Sequence, residues 1–200
     1  MKYNPQKHHR HSIRLKNYDY SQLGGYFITI CTYRRKCLMG EIIDGEMVFN
    51  EYGQVVADKW LKTGEIRTNV QLDRFILMPN HIHGIIFICR GVLQYAPTKD
   101  APTPFRSPSR TIGAIVRGFK STAAKKINQI RNVPGAPVWQ RNYYEHIIRN
   151  EKELNNIREY IVNNPLKWEL DRENPSSTNY SLDHKKYFKD IYEWTSRDER

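Results

Sequence analysis

The sequence predicts an α+β fold: a split β-α-β sandwich of the ferredoxin-like or RRM-like type, with an antiparallel sheet and helices on one face. Three observations predict it. Strand-like and helix-like runs follow in the order strand, helix, strand, strand, helix, strand, helix. Turn signals separate them. The 200 residues suit one domain with a modest core, since only 39% are hydrophobic.

The elements follow in chain order. Residues 1–20 are basic and rich in His and Tyr, and read as an arm able to touch phosphates or as a disordered tail. The run Tyr26 to Tyr33 is β-branched and aromatic, hence a strand. Glu41 to Phe49 carries Asp44-Gly45 between apolar runs, which predicts a tight hairpin. Asn50 can cap a helix in which Tyr52, Val55, Val56, Trp60 and Leu61 recur at helical spacing as far as Lys62. Asn69 to Leu77 is the second main strand. Met78-Pro79-Asn80 turns the chain, and His81 to Ile88 is the third. Residues 91–109 contain four prolines and read as a mobile loop.

Ile112, Ile115, Val116, Phe119, Ile127 and Ile130 mark the next helix, decorated by Arg117, Lys120, Lys125 and Lys126. Val138 to Ile148 reads as extended. Asn150 with Glu153 three residues on forms a capping-box pattern, followed by a stripe of Leu154, Ile157, Ile161 and Val162 that Pro165 ends. The core domain is therefore read as 21–170. The tail, 171–200, is polar and aromatic, with a final helix expected near Lys185 to Trp194.

Charge narrows the function. Lys and Arg number 32 against 21 Asp and Glu, a net +11. Such an excess attracts polyanions and releases their counterions. Thirteen Tyr and four Trp add flat faces on which unpaired bases can stack. Cys31, Cys37 and Cys89 show no C-x-x-C spacing and read as reduced thiols of a cytoplasmic protein. The start of the chain has no apolar h-region, and the longest apolar stretch is too short to span a membrane, so no membrane partner is expected.

His81-Ile82-His83 is the sharpest feature. On a strand, residues two apart point the same way, so both imidazoles project together and can hold one divalent metal. Two hydrogen-bonded histidines at a strand entrance would look the same. Tyr160 and Asn164 are one helical turn apart on one face. There Tyr160 could act as nucleophile and Asn164 could offer a carbonyl oxygen to a hard cation. Each also fits an ordinary packing or turn residue. His146 reads as an alternative ligand or a structural residue. Tyr143 and Tyr144, in an extended segment, must face opposite ways.

Met78-Pro79-Asn80-His81-Ile82-His83-Gly84 resembles the M-P-N-H-x-H segment of single-tyrosine HUH transposases, above all the REP-associated tyrosine transposase branch. So do Gly118-Phe119-Lys120-Ser121, Val138-Trp139-Gln140-Arg141, Tyr144 to Arg149 and Tyr160 to Pro165, in family order over roughly residues 20–170. The resemblance implies a ferredoxin-like catalytic domain in which His81 and His83 bind Mg²⁺ or Mn²⁺. It implies that Tyr160 attacks single-stranded DNA and that the third ligand falls on Asn164, where relatives often carry Gln. Arg117, Lys120 and Arg141 are expected to contact DNA, which the resemblance makes a hairpin-forming, REP-like strand. Relatives include monomers and homodimers that swap the tyrosine helix. A metal-dependent nuclease using water and a non-catalytic nucleic-acid-binding module are the competing readings; the RNA-recognition aromatic motif is not found. Localisation is expected to be cytoplasmic, on the nucleoid when bound to DNA.

Overall fold

A computed structural model describes residues 19–90 and 110–177. The expected arm up to residue 18, the loop 91–109 and the final helix near Lys185 lie outside the described residues.

Four strands form the sheet: β1 (Gly24–Cys31), β4 (Val70–Leu77), β5 (His81–Ile88) and β6 (Tyr144–Ile148). A separate hairpin pairs β2 (Gly40–Ile43) with β3 (Glu46–Phe49). Asp44 and Gly45 turn it with φ of 51° and 78°, the left-handed pair that the Asp-Gly signal predicts. The main sheet runs β4-β5-β1-β6, antiparallel at every pairing. This is the order of a split β-α-β sandwich, as the sequence predicts.

Three helices complete the fold: α1 (Glu51–Ile66), α2 (Ile112–Ile130) and α3 (Glu151–Asn163). α1 runs one turn past the predicted end at Lys62, because Thr63 is buried on the core side and its hydroxyl donates to the Lys59 carbonyl. Asn50 caps it, accepting from the Tyr52 and Gly53 amides. Asn150 caps α3 through the Glu153 amide. Glu153 does not close the reciprocal box; its carboxylate accepts instead from the Arg149 amide at 2.7 Å and meets His146 Nε2 at 2.6 Å. Pro165 starts a short 3-10 turn, Pro165–Leu170.

β1 and β5 are central and buried along nearly their whole length, so both sheet faces are covered. On one face α1 and α2 pack Val56, Trp60, Ile115 and Phe119 against Tyr26, Ile28, Ile82 and Ile86. The opposite face, expected to carry no helices, is partly roofed by α3: Ile157 and Ile161 pack on Phe27 and Ile85. The fold class holds, but the helices occupy both faces of the sheet rather than one.

The extended run predicted from Val138 to Ile148 is a strand only from Tyr144. Before it, Trp139 makes a single bridge to Thr32. The Lys120 ammonium takes the carbonyls of Gln140, Arg141 and Asn142 at 2.5, 3.2 and 3.4 Å, so these groups serve a side chain rather than a ladder.

Candidate active site

β5 places His81 and His83 on the α3 face, with the rings 4.4 Å apart. Ile82 between them points into the main core. Both imidazoles are buried, 0% and 1% exposed.

The tautomer of His81 follows from its neighbour. Asn80 donates from Nδ2 to the carbonyls of Arg35 and Glu173, which leaves its Oδ1 facing His81 Nδ1 at 2.8 Å. His81 therefore donates from Nδ1, and its Nε2 carries a lone pair. Burial holds its pKa down at about 4, so the ring is neutral at pH 7. Nε2 has no hydrogen-bond partner and lies 3.9 Å from Asp171 Oδ2, which also has none. Asp171 is 3% exposed, and burial pushes its carboxyl up to about 6.

His83 is held from both sides. Its Nδ1 meets Thr29 Oγ1 at 2.8 Å and its Nε2 meets the Tyr160 hydroxyl at 3.1 Å. With Nδ1–H donating to Thr29, Nε2 accepts from Tyr160. Phe27 stacks on the His83 ring at 5.4 Å and meets Tyr160 edge-on at 6.1 Å. α3 thus presents Tyr160 half-buried over the histidine pair. One turn on, the Asn164 amide interacts with both His81 and Asp171. Asn164 is buried and its Oδ1 is another atom without a hydrogen-bond partner.

The donor set fits a divalent metal. His81, His83 and Asp171 each offer an atom within 4.8 Å of the others. Two ligands on one ion sit about 3–4 Å apart when metal–ligand distances are near 2.1 Å. Two neutral imidazole nitrogens, a carboxylate oxygen and an amide oxygen suit a borderline or hard cation. Three buried acceptor atoms without a hydrogen-bond partner, His81 Nε2, Asp171 Oδ2 and Asn164 Oδ1, are costly without such an ion.

Four expected residues therefore meet here: His81, His83, Tyr160 and Asn164. Asp171 joins them from beyond the expected domain end at 170. The acidic pair Asp171 and Glu173 soon after Pro165, in a basic chain, was the only sequence hint of it. Tyr143 and Tyr144 do face opposite ways. Tyr144 pairs with Thr29 and joins the α3-side cluster, while Tyr143 packs on the main core. His146 sits on β6 against Glu153 at 2.6 Å, and burial lowers its pKa. Within the described structure it serves the start of α3, not the histidine pair.

Arg117, Lys120 and Arg141 lie elsewhere. They line a cleft of about 750 Å³ between α2 and residues 136–143, with Tyr20, Trp139 and Tyr143. Its Val116, Val138 and Trp139 belong to the core that α1 and α2 form with the sheet. Arg117 and Arg141 are exposed at its edge. Lys120 is half-buried in its wall, and burial lowers its pKa.

The fold is one that a solved tyrosine transposase shares. The structure is similar to that of a REP-associated tyrosine transposase bound to a REP hairpin, at a TM-score of 0.51 and 18% identity, over 78% of this chain and 74% of that one. In sequence it is 46% identical over 181 residues to an uncharacterized protein of Haemophilus influenzae, covering 86% of this chain and 96% of that protein. The chain belongs to the same family as that Haemophilus protein. No family model matches it. No helix among the described residues is long and apolar enough to cross a membrane.

Proposed function

We propose that this protein is a metal-dependent, single-tyrosine DNA strand transferase of the transposase type, acting on hairpin-forming, REP-like single-stranded DNA. The observation that carries the proposal is the 3.1 Å contact between the Tyr160 hydroxyl and Nε2 of His83, beside the buried group His81, His83 and Asp171. The likeness to a transposase solved with a REP hairpin supports the substrate class.

In this reading Tyr160 Oη attacks the scissile phosphorus. A P–O(Tyr) bond forms, the P–O3′ bond breaks, and the tyrosine proton ends on the released 3′-hydroxyl. The product is a 5′-phosphotyrosine, which conserves the phosphodiester for transfer to another 3′-hydroxyl. Tyrosine is a weak nucleophile with an ordinary pKa near 10. A bound Mg²⁺ or Mn²⁺ would supply Lewis-acid stabilisation at the phosphate. His81, His83 and Asn164 would hold it, His83 through the Nε2 lone pair that meets the Tyr160 hydroxyl here, and α3 keeps Tyr160 beside it on a rigid element. Arg117 and Arg141 contact DNA phosphates at the edge of the α2 cleft, with Lys120 adding charge from its wall.

The test is incubation of end-labelled, hairpin-bearing single-stranded DNA from the gene's own flanks with protein and Mn²⁺. A covalent protein–DNA adduct that chelator prevents and Tyr160→Phe abolishes is expected. Cleavage without an adduct would establish the water-using nuclease instead. Binding without cleavage at any metal concentration would establish a non-catalytic module.

A further inference from the structure

We propose that residues 171–177 form a strap that completes the metal centre, with Asp171 as its carboxylate ligand and Glu173 as the residue that positions it. The proposal rests on the metal-dependent reading above and adds a ligand that neither the H-x-H pair nor the tyrosine helix contains.

The strap is fixed at several points, one of them on the Asp171 carboxylate itself. Oδ1 of Asp171 accepts the Glu173 amide at 2.6 Å, so the carboxylate is oriented by its own turn. That leaves Oδ2 as the oxygen 3.9 Å from His81 Nε2, buried and without a hydrogen-bond partner. Two lone pairs facing each other across that gap repel unless a cation or a proton lies between them.

Glu173 ties this turn to the sheet. Its backbone carbonyl accepts from Asn80 Nδ2 at 2.6 Å, and Asn80 is the residue that sets the His81 tautomer. Its carboxylate pairs with Arg35 Nε at 3.0 Å and accepts from the Cys31 thiol at 3.3 Å. Glu173 is 4% exposed. Burying a carboxylate costs several kcal/mol before pairing. A turn needing only to be covered would use an apolar residue there. Asn174 closes the strap, donating from Nδ2 to the Trp168 carbonyl at 2.9 Å. Trp168 itself lies 6.1 Å from the His81 ring. One amide, Asn80, therefore couples a histidine ligand to the arrival of a carboxylate from 91 residues further on.

The experiment is Mn²⁺ binding to the full chain without DNA, followed by electron paramagnetic resonance. Water-proton relaxation then counts the waters on the bound ion. The variants are Asp171→Asn, Asp171→Ser, Glu173→Gln and His81→Ala, each checked for its metal-free melting temperature. Both Asp171 variants should bind about 10- to 100-fold more weakly and add a water to the bound ion. Glu173→Gln should weaken binding about tenfold. A rise in hydration that a melting change alone does not produce separates positioning from mere folding. If His81→Ala abolishes binding while both Asp171 variants bind as wild type with unchanged hydration, the strap proposal is overturned and the metal reading stands. If His81→Ala binds as wild type, the metal reading fails and takes the strap proposal with it. Should one Asp171 variant fail to fold, the other decides.

Discussion

Thr29 holds His83 from the neighbouring strand: its Oγ1 lies 2.8 Å from Nδ1, and the two residues are direct register partners of β1 and β5. Thr29 is 2% exposed, so this hydroxyl has little access to solvent. The contact leaves Nε2 as the nitrogen that faces Tyr160. Outer-shell partners of this kind set ring orientation and ligand basicity.

Replacing Thr29 by Val keeps the shape and removes the hydroxyl. Metal affinity should fall about 10- to 100-fold, and stability by about 1–3 kcal/mol from the unpaired Nδ1. Thr29→Ser should restore most of both. A Mn²⁺ titration in which Thr29→Val matches wild type would show that Thr29 does not orient the ring.

Arg158 clamps α3 to β4. It reaches Asp73 through Nε at 2.9 Å and Nη2 at 2.6 Å, at the irregularity between Leu72 and Phe75. The Arg158 hydrogen bond holds Asp73 below its ordinary 3.8. A depressed carboxyl contributes stability that is present above its unfolded pKa and lost as pH falls through the folded one. The pair is partly exposed, at 20% and 37%, so solvent screening limits it to about 1 kcal/mol or less. Asp73→Asn should lower the urea midpoint at pH 7, and the gap from wild type should close as pH drops below 3.8. A gap that widens in acid would refute the clamp.

The three cations of the α2 cleft should behave differently. Arg117→Ala with Arg141→Ala should weaken DNA binding and flatten its salt dependence by roughly one unit of slope per lost contact. Lys120→Ala leaves three carbonyls of residues 140–142 without their partner, so it should cost about 1.5–3 kcal/mol of stability. Salt-dependent binding curves and melting of the two variants test the split. An unaltered slope in the double arginine variant would put the phosphate contacts elsewhere.

Gly84 follows the histidine pair for a steric reason. A Cβ there would sit 2.4 Å from Cζ2 of Trp60, the ring that α1 lays against β5. Gly84→Ala should therefore cost about 1–3 kcal/mol by overpacking. A melting temperature equal to that of wild type would mean that Trp60 can withdraw freely.

Residues whose roles depend on short-range periodicity were legible in the sequence. The period of two along β5 put His81 and His83 on one side and Ile82 on the other. Helical spacing put Tyr160 and Asn164 on one face, and Asp-Gly, Asn50, Asn150 and Pro165 marked their turn and helix ends. These depend on neighbours a few residues apart, which local backbone geometry constrains.

What required the tertiary structure was everything set by distant segments meeting. That α3 roofs the histidine face is decided by Ile157 and Ile161 finding Phe27 and Ile85. That Lys120 bonds carbonyls in the cleft wall depends on where residues 140–142 run. That Asp171 reaches His81 depends on where the chain runs after Pro165 and on Glu173 meeting Arg35 and Asn80. Asp171 has no periodic or capping pattern to mark it, because its role comes from burial against residues far away in the chain rather than from its own backbone.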